Sequence, residues 1–233
     1  MLLTPYGFKE WLTISVIAAL IAAVAITMFW WWLVVLIAII WLALLSFFRD
    51  PIRRVPTNLA PGTMLSPADG TISAVFTVDH HDATGGPAQV IRIFLSVLNV
   101  HVNRSPFDAT VVKLTYTPGK YLNAMTEESA KVNESNLITL SIATGQAAEE
   151  EENGGAEMIG VRQVSGMIAR RIVCPIKPGD TLKRGQRFGM IKFGSTTELI
   201  LPRPEDVEVR VKKGDKVAGG RTILAVLPPQ SPR

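Results

Sequence analysis

The hydrophobic and polar positions divide the chain into two unlike parts. From Trp11 to Phe48 no residue is charged, and apolar side chains run on without the polar stripe of a surface helix. Such a pattern reads as a membrane segment. One straight helix of about 38 residues would be about 57 Å long, whereas the hydrocarbon core of a bilayer is about 30 Å thick. The run is therefore read as two helices, over residues 12–28 and 33–48, folded into a hairpin. Thr27-Met28-Phe29-Trp30-Trp31-Trp32 marks the bend, because tryptophan favours the membrane–water interface. No Gly or Pro forces a turn there, so a long tilted helix is the competing reading.

Beyond residue 48 the pattern changes. β-branched apolar runs recur at 71–78, 90–95, 110–116, 137–143, 158–164, 198–201 and 207–211, separated by Gly, Pro, Asn and Asp clusters. They predict a mainly β domain over 49–233 behind a membrane-anchoring segment over 1–48. Two stretches repeat. Lys177-Pro178-Gly179-Asp180-Thr181-Leu182-Lys183-Arg184-Gly185 and Lys212-Lys213-Gly214-Asp215-Lys216-Val217-Ala218-Gly219-Gly220 share a Gly-Asp, apolar, Gly rhythm, and an apolar strand follows each. Glycine supplies positive φ in the turns, and the apolar residue plugs a sandwich. This is the rhythm of barrel-sandwich-hybrid (lipoyl-like) domains, and residues 61–67 read as a third, degenerate copy. No Met-Lys-Met or Asp-Lys-Ala hairpin tip is present, so a lipoyl or biotin carrier is unsupported.

At 233 residues the chain accommodates one compact domain plus an accessory segment. The net charge of +4 is mild and no Lys/Arg run is interleaved with aromatics, so an anionic membrane surface is the expected partner and nucleic acid is not. Arg49, Arg53 and Arg54 follow the apolar run directly; by the positive-inside tendency the domain lies on the cytoplasmic side of the inner membrane. A cleaved signal peptide is not expected, because the apolar run is too long and lacks a small-residue cleavage pattern. Cys174 is the only cysteine, so no intramolecular disulfide can form, and it reads as a small buried apolar residue. Residues 149–155 read as a solvated loop tip. His80-His81-Asp82 reads as a surface loop, since adjacent histidines on a strand face opposite ways and no third metal ligand is spaced to join them.

The candidate chemistry lies in three distant segments. Phe193-Gly194-Ser195-Thr196-Thr197-Glu198 holds a Gly–Ser bond flanked by hydroxyl residues. Ser66-Pro67-Ala68-Asp69-Gly70 supplies an acid in a tight turn. Asn99-Val100-His101-Val102-Asn103-Arg104-Ser105-Pro106 supplies a histidine in a polar patch that a plain core would not need. A serine hydroxyl is a weak nucleophile at neutral pH and needs a base, and histidine is the side chain poised for that without perturbation. An acid, a base and a nucleophile are recognised by role and geometry, not by chain order. Taken alone, Asp69 would read as a turn former.

Together with Gly166-Met167-Ile168-Ala169-Arg170-Arg171, these segments occur in an order and spacing that resembles the short form of the phosphatidylserine decarboxylases, over essentially all of 49–233. The resemblance implies a proenzyme that cuts itself between Gly194 and Ser195. The products would be a β chain, 1–194, and an α chain, 195–233, with Ser195 converted into a pyruvoyl group that forms a Schiff base with the substrate, a phospholipid. It implies Ser195 as nucleophile, His101 as base and later proton donor, and Asp69 as the group that holds the imidazole tautomer. It leaves room for a homo-oligomer. Arg170 and Arg171 alternate on a strand, so at most one meets a lipid phosphate or carboxylate. Residues 116–134 read as a loop over the substrate, with Tyr121, Leu122 and Met125 available to acyl chains. The longer form often has a second histidine three residues before the catalytic one. Leu98 stands there, which leaves substrate positioning to Asn99 or Asn103. Phe193 stands where the longer form has Leu. The competing functions are a membrane-tethered adaptor, which lacks its heptad hairpin here, and a membrane-anchored serine hydrolase.

Overall fold

The computed structural model describes residues 2–120, 132–143, 156–166, 171–192 and 195–229. The chain divides into two compact units, Met1–Ile52 and Arg53–Arg233.

In the first unit, α1 (Phe8–Thr27) and α2 (Trp31–Phe47) form a hairpin after a short 3-10 turn, Pro5–Gly7. The reversal needs no glycine: Phe29 takes a left-handed φ of 59°, and the Met28, Phe29 and Trp30 amides bond back to Val24, Ile26 and Ala25. Ser15, Ala18 and Ala22 on α1 line a cleft with Val34, Ala38 and Trp41 on α2. Small residues let helix backbones approach, and the Trp41 indole donates to Ser15 Oγ at 3.0 Å. The open ends are stapled by Thr4 N–H to Phe48 O and Asp50 N–H to Leu2 O, both at 2.8 Å. Leu12, Val16, Leu20, Trp32, Ile39 and Leu42 stay exposed. The 23 residues Pro5–Thr27 are long and apolar enough to cross a membrane, whereas the second helix is shorter. An apolar helix with so much uncovered surface associates with a membrane.

The second unit is mainly β. Its largest sheet has eight antiparallel strands in the order β13-β2-β3-β11-β7-β6-β5-β9. These are β13 (Lys216–Val217), β2 (Gly70–His81), β3 (Gly86–Leu95), β11 (Ser195–Pro202), β7 (Ala156–Val164), β6 (Ser135–Ala143), β5 (Ala109–Thr117) and β9 (Thr181–Leu182). Two three-stranded sheets complete it. One is β1 (Thr63–Leu65), β14 (Ile223–Val226) and β12 (Glu208–Val209); the other is β4 (Val102–Arg104), β10 (Arg187–Ile191) and β8 (Ile172–Val173). The apolar runs of the sequence supply the long strands. The run at 207–211 pairs over only Glu208–Val209.

Alternate residues of the long strands face one core: Ile91, Ile93 and Leu95 on β3, Leu199 and Leu201 on β11, Ile159 and Val161 on β7, Ile138, Leu140 and Ile142 on β6. Met64, Phe107, Phe188 and Leu224 from the other strands close it. The opposite face holds a smaller cluster around Ala88, Val90 and Ile200. Beside it Glu198 is pinned between Arg92 at 2.7 Å and Arg162 at 3.4 Å.

The two repeated stretches make the same turn. Lys177 and Lys212 amides donate to Asp180 and Asp215 carboxylates at 2.8 and 2.9 Å, and Gly179 and Gly214 take φ of 92° and 99°. Leu182 and Val217 are the buried plugs. The structure adds a second repeat. Ser66-Pro67-Ala68-Asp69 leads β1 into β2, and Ser105-Pro106-Phe107-Asp108 leads β4 into β5. Ser66 Oγ donates to Ala68 O and Ser105 Oγ to Phe107 O, at 2.6 and 2.7 Å. The Gly220 amide reaches Ser66 O, and the Gly185 amide Ser105 O, each at 2.8 Å. Residues 61–67 are thus the counterpart of 100–106, not a third copy of the Gly-Asp turn.

Candidate active site

Strand alternation decides which side chains meet. On β11, Leu199 and Leu201 face the core, so Thr197 and Ser195 face it too, one and two steps toward the strand's start. Both are fully buried. Thr197 lies opposite Gln163 of β7, and Gln163 opposite Asn136 of β6. One end of an apolar core thereby becomes polar.

Four side chains there form a chain of hydrogen bonds. Asn136 Nδ2 donates to Gln163 Oε1 at 3.1 Å, Gln163 Nε2 to Asn103 Oδ1 at 2.9 Å, and Asn103 Nδ2 to Thr197 Oγ1 at 3.1 Å. A buried amide without partners is costly, so this chain fixes β4 against β11 and β7. Gly189 of β10 makes room: a Cβ there would meet the Val173 carbonyl and Gln163 Nε2. The bond from Asn103 to Thr197 joins the strand that follows His101 to the strand that begins at Ser195.

His101 is fully buried, and its carbonyl accepts from the Ile191 amide at 3.2 Å. Its Nδ1 sits 2.9 Å from the Asn99 carbonyl. A carbonyl only accepts, so in the neutral ring Nδ1 carries the proton and Nε2 is the basic nitrogen. Asn99 is itself fixed, its Oδ1 accepting from Ser96 N–H and Oγ–H at 2.9 and 2.8 Å. The sequence assigned the tautomer to Asp69; the contact at Nδ1 is instead a backbone carbonyl two residues away. Leu98, in the same turn, is exposed.

Asp69 is held elsewhere. Its Oδ2 receives Arg53 at 2.6 Å and its Oδ1 receives the Gly219 amide at 2.8 Å. Burial pushes its carboxyl above the ordinary range, opposed by the Gly219 N–H and the charges of Arg53 and Arg104. The counterpart Asp108 likewise receives a backbone amide, that of Arg184 at 3.2 Å. The Asp69 turn still borders the site: the Pro67 carbonyl accepts Arg104 N–H at 2.9 Å and Asn103 Nδ2 at 3.4 Å.

Ser195 Oγ is buried and has no hydrogen-bond partner among the described residues. A buried hydroxyl without a partner is costly, and a chemical role is one reason for a fold to bear that cost. Phe193, Gly194, Arg170, residues 149–155 and the loop positions Tyr121, Leu122 and Met125 lie outside the described residues. Arg171 is exposed. Cys174 is half-buried, and burial raises its thiol to about 11, which leaves little thiolate at neutral pH. Sequence reasoning missed Gln163 and Asn136, and gave Thr197 no role beyond flanking the Gly–Ser bond. The signal available was an amide at a core-facing step of an otherwise apolar strand.

Known proteins resemble this chain over the same region. A "Phosphatidylserine decarboxylase proenzyme" of Rhodopirellula baltica is 46% identical over 179 residues, covering 77% of this chain and 69% of that one. Proteins of the same name from Chlorobium phaeobacteroides and Oleidesulfovibrio alaskensis are 38% and 40% identical over 225 and 223 residues. They cover 95% and 96% of this chain, and 98% and 93% of their own lengths. The family described as Phosphatidylserine decarboxylase matches residues 42–225, and with relatives this similar over nearly the whole chain, the chain belongs to that family.

Proposed function

We propose that this chain converts phosphatidylserine to phosphatidylethanolamine with a pyruvoyl group made from its own Ser195, by cutting itself between Gly194 and Ser195 into a β chain (1–194) and an α chain (195–233). The observation that carries the reading is the Ser195 hydroxyl, fully buried without a partner among the described residues at the polar end of the core. That orphaned group is what a self-made carbonyl requires as its source.

In the cut, His101 Nε2 takes the Ser195 hydroxyl proton while Oγ attacks the Gly194 carbonyl carbon. The Gly194–Ser195 C–N bond breaks, the Ser195 amine takes up the proton, and an ester forms. Loss of the Ser195 α-proton then breaks the Cβ–Oγ bond and leaves Gly194 as a carboxylate. Water adds to the remaining dehydroalanine, and ammonia departs to give the ketone. The neutral ring tautomer set by Asn99 suits His101 to the first step. The resemblance assigns Asp69 the acid of the constellation; with its carboxylate on Arg53 and Gly219, its action on His101 runs through its turn, which is locked to β4 by the Pro67 carbonyl. The finished carbonyl supplies an electron sink that condenses with the substrate amine. His101 returns a proton to the carbon that has lost CO2.

The finer fold and placement belong to the same proposal. The paired turns at 177–185 and 212–220, with the paired Ser-Pro-x-Asp corners, support a barrel-sandwich-hybrid, lipoyl-like domain. Arg49, Arg53 and Arg54 behind the apolar hairpin support a site on the cytoplasmic side of the inner membrane. The test is the intact mass and denaturing gel of wild type beside Ser195→Ala, His101→Ala and Asp69→Ala, with CO2 release from phosphatidylserine. Wild type splits in two and is trapped at position 195 by an amine with borohydride. If His101→Ala and Asp69→Ala both still split, their assignment is wrong.

A further inference from the structure

A second buried hydroxyl at the site is unused by the steps above. Ser165 follows the last residue of β7, is fully buried, and its Oγ has no hydrogen-bond partner among the described residues. Its position follows from register. The β11–β7 ladder pairs Thr197 with Gln163 and Thr196 with Val164. One further antiparallel step sets Ser165 opposite Ser195. Gln163 faces the core, so Ser165, two residues on, faces the same side as Ser195. Cross-strand neighbours on one face have Cβ atoms about 5 Å apart. Its backbone is clamped: Ser165 N–H donates to Glu134 O at 2.9 Å, and its carbonyl accepts Asn133 Nδ2 at 2.8 Å. The side chain's direction is therefore set by the sheet.

Leaving two adjacent hydroxyls buried without partners among the described residues costs stability in the uncut chain. Ser195 Oγ has a use, since it attacks. In the cut, that oxygen leaves with Gly194, and a new oxygen, from water, appears on the α-carbon of residue 195. We propose that Ser165 is a further catalytic residue, whose Oγ–H donates a hydrogen bond to this new carbonyl oxygen and polarises it for attack by an amine. The inference rests on the reading of Ser195 given above. It explains why the hydroxyl has no partner among the described residues before processing: the partner does not yet exist.

Two measurements test it. In the uncleavable Ser195→Ala chain, adding Ser165→Ala removes a hydroxyl that has nothing to bond, so the urea midpoint stays equal or rises. A lowered midpoint means a structural partner and overturns the proposal. In the cut enzyme, the condensation of phenylhydrazine at residue 195 is followed by mass, per mole of cut chain. Ser165→Ala should react about tenfold more slowly, the worth of one hydrogen bond, and Ser165→Thr should restore the rate. An unchanged rate in Ser165→Ala overturns the proposal. So does a Ser165→Ala chain that stays uncut, because the hydroxyl would then act before any carbonyl exists. Absence of the adduct in wild type sinks the Ser195 reading instead, which separates the two failures.

Discussion

Asn103→Leu is the sharpest probe of how the site is held. The substitution keeps the side-chain size and removes three hydrogen bonds, to Gln163, Thr197 and Pro67, at 2.9, 3.1 and 3.4 Å. The Pro67 carbonyl keeps the Arg104 amide. Two groups are therefore orphaned, Gln163 Nε2 and Thr197 Oγ1. Each costs about 1–3 kcal/mol, and the threonine hydroxyl can rotate, so the expected loss is about 3 kcal/mol. Against a total stability of about 5–15 kcal/mol that is a large fraction. Gln163→Leu alone orphans Asn103 Oδ1 and Asn136 Nδ2. In the double variant the mutual bond is gone from both sides, so the pair costs less than the sum of the singles by about 1–3 kcal/mol. Tryptophan fluorescence is blind to this unit, because all five tryptophans lie between Trp11 and Trp41. Cys174 serves instead. Pulse-labelling of its thiol across a urea series, in the Ser195→Ala chain, reports unfolding of the β unit. Single losses that add to within about 0.3 kcal/mol would refute the view that the buried amides act as one unit.

Four further outcomes follow. With its thiol raised from 9.0 to about 11, native Cys174 should label about 100-fold more slowly at pH 8 than an ordinary thiol. Because the folded value lies above the unfolded one, its contribution to stability is complete below pH 9 and is lost as pH rises through about 11; Cys174→Ala should flatten that decline in urea midpoint. Glu198→Gln breaks the pairs with Arg92 and Arg162 at a side chain only 4% exposed, and should lower stability by about 3 kcal/mol in the same assay. Gly62 and Gly85 share a positive φ, 72° and 68°, but a Cβ on Gly62 would strike the Leu227 carbonyl while Gly85 faces open space. Gly85→Ala should cost about 1 kcal/mol, and Gly62→Ala about 3 kcal/mol or more by prising β1 from β14.

Much of this protein was legible in the residues. The uncharged stretch from Trp11 to Phe48 required helices, since only a helix satisfies its own backbone beside lipid. The period-two runs located the long strands, and the Gly-Asp rhythm located two equivalent turns, because both signals are local. Ser195, His101 and Asp69 stood out because their short segments occur together in an order and spacing that resembles a known family. What local pattern could not supply was pairing. Nothing at Thr197, Gln163 or Asn136 alone shows that three strands set them side by side, and the helix reversal at Phe29 uses a residue that offers no turn signal.

The tertiary structure decided the partners. Asp69 had been matched to His101 by role, yet its two oxygens go to Arg53 and Gly219, while the imidazole rests on the Asn99 carbonyl. Backbone acceptors carry no mark in a sequence, so such a substitution is invisible until the chain folds. By itself the sequence determined the apolar helical segment, the β character and the reactive residue types, all set by side-chain chemistry within a few positions. Register across β11, β7 and β6 decided that Thr197, Gln163 and Asn136 meet at one buried end of the core beside Ser195, because a one-residue slip in any strand would turn its side chains to the opposite face.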